Sequence, residues 1–469
     1  MNFRRIVMFT CIWVLGLQTG FTQSIWKHGE LKVTADDHYL EHSDGTPFFW
    51  LGDTAWELFH RLKTEDIRTY LDNRQKKGFN VIQAVIIPTK NGLHIPNAYG
   101  QLPLTDVDAS RPNSGYFKLI DTVVQMAAAR NMLMALLPAW GDNISSERPF
   151  FNVASAYTYG KFLGDRYKKS SNVIWVLGGD YPAYTVRHDW RPAWRAMAKG
   201  IEDGAGKAVL MSFHPGGTMW ESALQVHNES WLDFNMIQSG HSEIDQPVWN
   251  TVTRDFNLKP VKPVIDAEPA YEDHPVHPWP EWNPSNGYFR DYEVRKQLYR
   301  SVFSGAFGVT YGHHAIWQFY SPKYEKINHA DRYWYDALNR PGAYQAGYLR
   351  KLIESRPFLT RVSDQSIILE GQGEKGEYMT AFRDTARSYL MVYLPVGKRI
   401  VISGTALPGK KLKTWWFNPK TGKALSAGTK NKLTEMEFTP PVTGPGNDWV
   451  LVLDTEGMHF TTPGKMAGQ

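Results

Sequence analysis

Eight short apolar segments, each followed by an amphipathic pattern, restrict the fold of this chain more than any other feature of its sequence. The candidate strands are Phe48–Gly52, Asn80–Ile86, Met132–Pro138, Asn172–Leu177, Ala208–Phe213, Phe234–Gln238, Pro263–Ala267 and Gly308–Trp317. Intervening stretches such as YFKLIDTVVQMAAARN place apolar residues three and four positions apart, which is typical of helices packed on a sheet. Strands that are apolar on both faces and alternate with helices indicate a parallel sheet covered on both sides.

The number of these units favours a closed barrel. Eight strand–helix units in roughly 280 residues predict a (β/α)8 or TIM barrel. A doubly wound open sheet is the alternative, but GDTAWELF follows the first strand where such sheets often carry a glycine-rich phosphate loop. A β-hairpin with its turn at Ser43-Asp44-Gly45 is predicted before the barrel, and a helix over about 343–354 is predicted to close it.

The texture of the sequence changes from about residue 358. Segments such as SYLMVYLPVG, LKTWWFNPKTGKAL and DWVLVLD are short, alternate polar with apolar residues and are separated by Gly, Asn or Pro. This pattern predicts a small β-sandwich. We therefore divide the 469-residue chain into a leader over 1–23, a barrel over 24–357 and a sandwich over 358–469.

The N-terminus predicts export. Arg4 and Arg5 precede an apolar stretch from Ile6 to Leu17, and small or polar residues follow, as in a secretory signal peptide. The only cysteine, Cys11, lies in this leader, so the mature chain forms no disulfide. We expect a bacterial periplasm or cell surface, and no membrane span after the leader is removed, because no other apolar run reaches about 18 residues.

Charge and aromatic content restrict the classes of molecule that this protein is expected to bind. The formal net charge is +5, of which the leader supplies two arginines, and we find no lysine or arginine cluster interleaved with aromatic residues. Nucleic acid is therefore not an expected partner. The aromatic share of 14% includes 18 tryptophans, which suits either a large core or stacking on sugar rings.

Polar and aromatic side chains lie at or just after the ends of the predicted strands, where a TIM barrel carries its functional groups. They are Asp53, Trp56, Trp140, Asp142, Asp180, Tyr181, His214, Gln238, His241, Glu268, His313, His314 and Trp317. We predict that Asp53, Trp56, Trp140, Tyr181, His214, Gln238, His241 and Trp317 contact substrate. Each has an ordinary structural alternative: helix capping for the aspartate, core packing for the tryptophans and internal hydrogen bonding for the histidines.

Asp180 and Glu268 are the predicted catalytic pair. VIWVLGGDYPAY and PVIDAEPAYED share one layout, an apolar strand that ends in a carboxylate followed by an aromatic residue. Glycoside hydrolysis needs two such acids, one to protonate the leaving oxygen and one to attack the sugar or activate water. Asp266 is an alternative to Glu268, because residues two apart on a strand face the same side. We expect Tyr181 and the second carboxylate to raise the pKa of Asp180, and the two glycines to admit substrate close to the backbone.

Other chemistries have little support. HHAIWQ and HPVHPWPEW are rich in histidine but lack the HExxH spacing of zinc proteases, and no GxSxG is present. We therefore predict no metal and no cofactor.

Four motifs together resemble a known family. FFWLGDTAWELFHRL, KGFNVIQAVI, NVIWVLGGDYPAY and PVIDAEPAYE are similar to segments of the apiosidase-type glycoside hydrolases, family 140, and the resemblance spans about residues 25–457. It implies a barrel followed by a sandwich of the type named collagen-binding. It also implies hydrolysis of the bond from apiose to galacturonic acid in the pectin rhamnogalacturonan II, with Asp180 as acid/base and Glu268 as nucleophile. The alternatives are a glycosidase of the same barrel acting on another sugar, and a non-catalytic glycan- or matrix-binding protein.

Overall fold

The structure is a computed structural model that describes residues 25–216 and 221–465. The predicted signal peptide over 1–23 lies outside these residues. Within the described ranges, no helix combines the length and apolar character needed to cross a bilayer.

Eight parallel strands form a closed barrel, as predicted. In chain order they are β4 (Trp50–Thr54), β5 (Val81–Ile87), β6 (Leu133–Ala139), β7 (Val173–Gly178), β8 (Met211–His214), β9 (Phe234–Ile237), β10 (Val264–Asp266) and β11 (Gly308–Tyr311). Each strand pairs with its neighbours in the sequence, and β11 pairs with β4 to close the ring. This is the topology of a TIM barrel.

Three short strands precede the barrel. They form an antiparallel sheet of β1 (Leu31–Val33), β2 (Leu40–His42) and β3 (Pro47–Phe48). The predicted hairpin corresponds to β2 and β3, whose connection contains Ser43-Asp44-Gly45.

The helices of the barrel lie between and after its strands. They are α1 (Leu58–Arg61), α2 (Thr64–Lys76), α3 (Ser114–Ala128), α4 (Val153–Tyr167), α5 (Arg191–Ala205), α6 (Ala223–Val226), α7 (Val248–Phe256), α8 (Asp291–Phe303), α9 (His314–Trp317), α10 (Trp334–Ala337) and α11 (Pro341–Glu354). The closing helix predicted over about 343–354 is α11.

The eighth strand is shorter than predicted. It ends at Tyr311, and His314–Trp317 forms the helix α9 instead of continuing the strand. The reason is local, because Nδ1 of His313 accepts a hydrogen bond from the backbone N–H of Ala315 at 3.0 Å and so caps this helix.

Period-two alternation explains why the strands are apolar throughout. Trp50, Val81, Leu137 and Val176 are buried inside the barrel, whereas neighbours such as Leu51 face the helices. Both sides of each strand are therefore removed from water.

The chain beyond the barrel is an antiparallel sandwich, as predicted. Its strands are β12 (Arg361–Ser363), β13 (Ile368–Glu370), β14 (Thr380–Asp384), β15 (Tyr389–Leu394), β16 (Ile400–Ser403), β17 (Lys411–Asn418), β18 (Lys423–Asn431), β19 (Glu435–Phe438) and β20 (Trp449–Thr455). A six-stranded sheet in the order β12-β14-β15-β20-β17-β18 packs on a three-stranded sheet in the order β13-β16-β19.

The six-stranded sheet also packs on the barrel, through α8. Tyr299 of that helix stacks on Tyr393 with ring centroids 4.9 Å apart, and Phe303 meets the edge of Phe382 at 4.7 Å. Beside these rings, Nη2 of Arg295 lies 2.7 Å from Oδ1 of Asp448, and both side chains are buried. One apolar cluster therefore contains residues of both domains.

Candidate active site

A pocket of about 500 Å³ opens at the C-terminal ends of the barrel strands. Seven of the residues predicted at the strand ends line it, namely Trp56, Trp140, Asp180, Gln238, His241, Glu268 and Trp317. A wider groove of about 700 Å³ lies against α5 and α6 on the outer surface. Its arginines are paired with carboxylates, as in the contact between Arg195 and Glu229 at 2.7 Å. The barrel mouth is therefore the candidate site.

Asp180 is held by an unusual backbone. Gly178, Gly179 and Asp180 have φ values of 84°, 119° and 53°, all in the region that favours glycine. A Cβ on Gly178 would lie 2.2 Å from the carbonyl oxygen of His214, and one on Gly179 would lie 2.9 Å from the ring of Trp140. The glycines are therefore required by neighbouring protein atoms, which corrects the expectation that they make room for substrate. Backbone strain of this kind is often found at functional sites.

Glu268 reaches the pocket because the strand pairing becomes irregular at the end of β10. The backbone N–H groups of Ala267 and Glu268 both donate to the carbonyl of Ile237, at 2.8 and 3.3 Å. Such an irregularity breaks the alternation of side chains, as a bulge does. Glu268 therefore turns towards the pocket instead of facing the helices.

Asp266 lies on the opposite side of the strand. Its carboxylate accepts hydrogen bonds from the hydroxyls of Ser239 and Ser301 at 2.7 and 2.8 Å, and Ser301 belongs to α8. The prediction that Asp266 and Glu268 share one side is therefore wrong, and Asp266 does not line the pocket.

The two predicted catalytic carboxylates lie close together with a histidine between them. One oxygen of Asp180, one oxygen of Glu268 and a ring nitrogen of His214 all lie within 4.8 Å of one another. Nε2 of His214 is 3.0 Å from Oε2 of Glu268, and its Nδ1 is 4.0 Å from Oδ1 of Asp180. Nε2 of His241 lies 3.3 Å from the second oxygen of Glu268. Each oxygen of Glu268 therefore faces one histidine.

The environment gives the two acids different proton affinities. Burial at the base of the pocket, followed by the charge of Glu268, raises the pKa of Asp180 to about 7. The side chain of Asp180 is 41% exposed, but Asp180 lines the pocket, so a bound sugar would remove this water. Burial also acts to raise the pKa of Glu268, but the contacts from His214 and His241 hold that pKa well below its usual range. Near neutral pH, the pair can therefore hold one proton, on Asp180.

Gln238 also orients Asp180. Its amide nitrogen donates to Oδ1 of Asp180 at 2.7 Å, which links the ends of β7 and β9. Tyr181 was expected to influence the same carboxyl, but it packs beside the aromatic cluster of Trp140 and does not line the pocket. Burial, and not this tyrosine, is the main cause of the raised pKa of Asp180.

Aromatic rings form much of the pocket wall. Trp56 lies with its ring centroid 5.2 Å from those of both Trp140 and His214, in edge-to-face geometry. Its Nε1 donates to the hydroxyl of Tyr271 at 3.2 Å, and Nε1 of Trp317 donates to Nδ1 of His314 at 3.2 Å. Rigid aromatic walls of this kind suit the apolar faces of a sugar.

Asp53, like Tyr181 and the fully buried His214, is a predicted substrate contact that does not line the pocket. Its side chain is fully buried on the helix-facing side of β4, where Oδ2 lies 2.7 Å from Nε of Arg74 and accepts a hydrogen bond from Tyr70. The prediction that Asp53 contacts sugar is therefore corrected, and its role is to hold α2 against the barrel.

We expect Asp53→Ala to lower the free energy of unfolding by about 3–5 kcal/mol, because Arg74 would keep a buried charge without its partner. Urea denaturation measures this loss. Asp72→Ala is the control. Asp72 lies on α2, as Arg74 does, but its side chain is 43% exposed in its pair with Arg130. We expect about 0–1 kcal/mol there. Equal losses in both variants would contradict the role given to Asp53.

Several lining residues were not predicted. Tyr271 and His274 belong to the loop after Glu268, Glu57 directly precedes α1, and His60 and Arg61 belong to that helix. The sequence EPAYEDH already contained the first two. Position after a strand did not distinguish them from their neighbours in these loops.

The cluster of Asp180, His214 and Glu268 could also hold a divalent cation, since it offers one nitrogen and two carboxylate oxygens within a small space. However, both oxygens of Glu268 already face histidine nitrogens, at 3.0 and 3.3 Å. Hydrolysis by two carboxylates needs no metal.

Comparisons with known proteins agree with this geometry. A family model described as the apiosidase-like catalytic domain matches residues 34–360, and a model for a domain described as collagen-binding in a collagenase matches residues 362–454. None of the curated proteins searched matches the chain.

Two solved structures resemble almost the whole chain. A glycoside hydrolase family 5 protein from Bacteroides vulgatus ATCC 8482 has 33% identity and a TM-score of 0.86, with 93% of this chain and 96% of that chain covered. A second structure, named glycoside hydrolase, has 35% identity and a TM-score of 0.84, with 92% and 98% covered. With the barrel, the carboxylate pair and the family model in agreement, the chain belongs to the apiosidase-like family and is a glycoside hydrolase.

Proposed function

We propose that this protein is an exported retaining glycosidase that releases apiose from the rhamnogalacturonan II side chains of plant pectin. Asp180 serves as acid/base and Glu268 as nucleophile. The observation that carries the reaction type is the carboxylate pair, with oxygens within 4.8 Å of each other and with pKa values moved in opposite directions.

The spacing supports retention of configuration. Retaining enzymes hold their carboxyl groups about 5–5.5 Å apart, whereas inverting enzymes need about 6.5–9.5 Å to place a water between acid and sugar. Glu268 would attack the anomeric carbon while the bond to the leaving oxygen breaks, and Asp180 would give that oxygen its proton. Asp180 would then take a proton from water, which attacks the same carbon and frees Glu268.

The substrate rests on weaker support than the reaction. The family model supports apiose, and the aromatic pocket supports a sugar ring next to the acids. Export rests on the N-terminal sequence.

The decisive experiment incubates the protein without its leader with rhamnogalacturonan II oligosaccharides and measures free apiose by chromatography. Free apiose at equal rates with and without EDTA would support both the substrate and the metal-free reaction. Release of another sugar, or activity only on other glycans in a screen, would contradict apiose as the substrate and still support a glycosidase. Loss of activity in EDTA that Zn²⁺ or Ca²⁺ restores would contradict the metal-free mechanism.

We expect the rate to fall on both sides of a pH optimum. As pH rises through about 7, Asp180 loses the proton that the leaving oxygen needs, because its pKa lies near that value. The acid side falls only at low pH, because the contacts from His214 and His241 hold the pKa of Glu268 well below its usual range. A profile of kcat/KM against pH measures both limbs.

His214→Asn is expected to move both limbs upward by about one pH unit or more, since His214 lowers the pKa of both carboxyls. His227→Asn is the control, because His227 is also buried but its Nε2 contacts the carbonyl of Pro260 outside the pocket. If the pH profile of His214→Asn is unchanged, or if His227→Asn shows the same shift, His214 does not lower the pKa values of the two carboxyls.

A further inference from the structure

Three buried histidines pack in a row that begins at Glu268. The rings of His241 and His274 are stacked with centroids 4.0 Å apart, and those of His274 and His314 meet edge to face at 4.3 Å. His241 and His274 line the pocket, whereas His314 lies behind them. Because a neutral imidazole has one donor and one acceptor nitrogen, the partners of one nitrogen fix the role of the other.

Hydrogen bonds fix the tautomers of the outer two rings, His241 and His314. Nδ1 of His241 accepts from the backbone N–H of Tyr271 at 3.3 Å, so its proton is on Nε2, which points to Glu268. Nε2 of His314 lies 3.0 and 2.8 Å from the carbonyl oxygens of Ile327 and Asn328, so its proton is also on Nε2. Its Nδ1 then accepts from Trp317.

The middle ring has the opposite tautomer. Nδ1 of His274 lies 2.7 Å from the carbonyl oxygen of Pro275, which only accepts hydrogen bonds, so the proton is on Nδ1. Nε2 then carries a lone pair, and in the described parts of the chain no group donates to it.

His274 also has little tendency to become charged. Its side chain is buried between two other histidines, and burial lowers its pKa well below the usual value. A neutral imidazole with an occupied Nδ1 has one remaining function, which is to accept a hydrogen bond at Nε2.

We propose that Nε2 of His274 accepts a hydrogen bond from one hydroxyl of the sugar held beside Glu268, and thereby selects sugars that carry a donor at that ring position. The proposal rests on the proposed function, since it assigns a contact to the sugar that Asp180 and Glu268 cleave. A buried acceptor left without a donor costs free energy, so a sugar that lacks this hydroxyl is rejected.

The tautomer can be tested without any substrate. In ¹⁵N-histidine-labelled protein, with His274→Gln used to assign the signals, we expect a proton on Nδ1, a bare Nε2 and no titration between about pH 5 and 8. Adding apiose should shift the Nε2 signal of His274 towards that of a hydrogen-bonded nitrogen. A proton on Nε2, or protonation in that pH range, would overturn the proposal.

The selectivity is tested by kinetics on aryl apiosides of both anomers and on analogues in which one hydroxyl at a time is replaced by hydrogen or fluorine. In the wild type, one position should lose about 10- to 100-fold in kcat/KM with either replacement, because fluorine does not donate a hydrogen bond. His274→Leu should lose a similar factor in kcat/KM on the parent glycoside. In that variant, replacing the hydroxyl at the critical position should cause no further loss. His274→Gln, which can place a carbonyl oxygen near the lost nitrogen, should keep most of the activity.

One kinetic outcome would overturn the proposal, and another would overturn only the proposed substrate. If His274→Leu lowers the rate equally on every analogue, His274 has a packing role only and the proposal fails. If the wild type cleaves no apioside, apiose is the wrong sugar and the proposed substrate fails. The same panel of single replacements is then applied to the glycoside that a screen identifies, and the spectrum of His274 is recorded with that sugar.

Discussion

Glu268→Gln is expected to lower turnover by about 10⁴-fold or more while leaving the fold and sugar binding nearly intact. Glutamine has almost the shape of glutamate and can still contact His214 and His241, but it has no anionic oxygen to attack the anomeric carbon. Initial rates on an aryl glycoside measure the loss, and calorimetric titration with the sugar measures binding. In Glu268→Ala, azide should restore part of the rate and give a glycosyl azide, because a small anion can occupy the vacated space.

Asp266→Asn is the matched control for this experiment. Asp266 lies only two residues away and is also buried, but its carboxylate contacts Ser239 and Ser301 on the helix side of the strand. We expect the turnover of Asp266→Asn to stay within about threefold of the wild type, since the side chain of Asp266 does not line the pocket. Near-normal turnover in Glu268→Gln, or an equal collapse in Asp266→Asn, would remove Glu268 from the nucleophile role.

The second large effect is expected at Asp180, and it depends on the leaving group. Asp180→Ala removes the proton donor, so glycosides of poorly acidic alcohols should lose about 10²- to 10⁴-fold in kcat/KM. A dinitrophenyl glycoside needs no proton to depart, so its first step should be nearly unaffected. The variant should also lose the fall in rate above about pH 7, since that limb belongs to the pKa of Asp180.

A series of aryl glycosides with leaving groups of increasing pKa measures this dependence. Gln238→Ala is the comparison, because it removes the amide that donates to Asp180 at 2.7 Å and leaves the carboxyl in place. That variant should keep the alkaline limb and move it upward, since the hydrogen bond from Gln238 lowers the pKa of Asp180. An equal loss across all leaving groups in Asp180→Ala would show that Asp180 is not the acid.

The barrel and the carboxylate pair were predictable because each depends on a regular feature of sequence. Repeating apolar strands fix a parallel barrel, and a barrel brings the residues after its strands to one mouth. Position after a strand singled out Asp180, but the same rule left Asp266 as an alternative to Glu268. The substrate contacts among the strand-end residues were less predictable, because strand-end position alone does not say which way a side chain points.

Two residues show where this reasoning fails. Asp53 lies at the end of β4 but on the side that faces α2, and only the position of Arg74 in the fold reveals its partner. Asp266 and Glu268 are two residues apart, and a single irregular hydrogen-bond pair at Ile237 separates them. Local deviations from regular alternation depend on tertiary contacts, so they are not visible in one sequence.

The packing of Tyr299 and Phe303 of α8 on the sheet of the second domain has a consequence for the evolution of the protein. A domain joined by a flexible linker can be exchanged between genes without compensating substitutions in its neighbour. Here Tyr299 and Phe303 of the barrel pack against Tyr393 and Phe382 of the sandwich, and the buried Arg295 of the barrel pairs with Asp448 of the sandwich. Recombination that replaced only one domain would leave aromatic surface and a buried charge facing water. The two domains should therefore be passed on as a single unit.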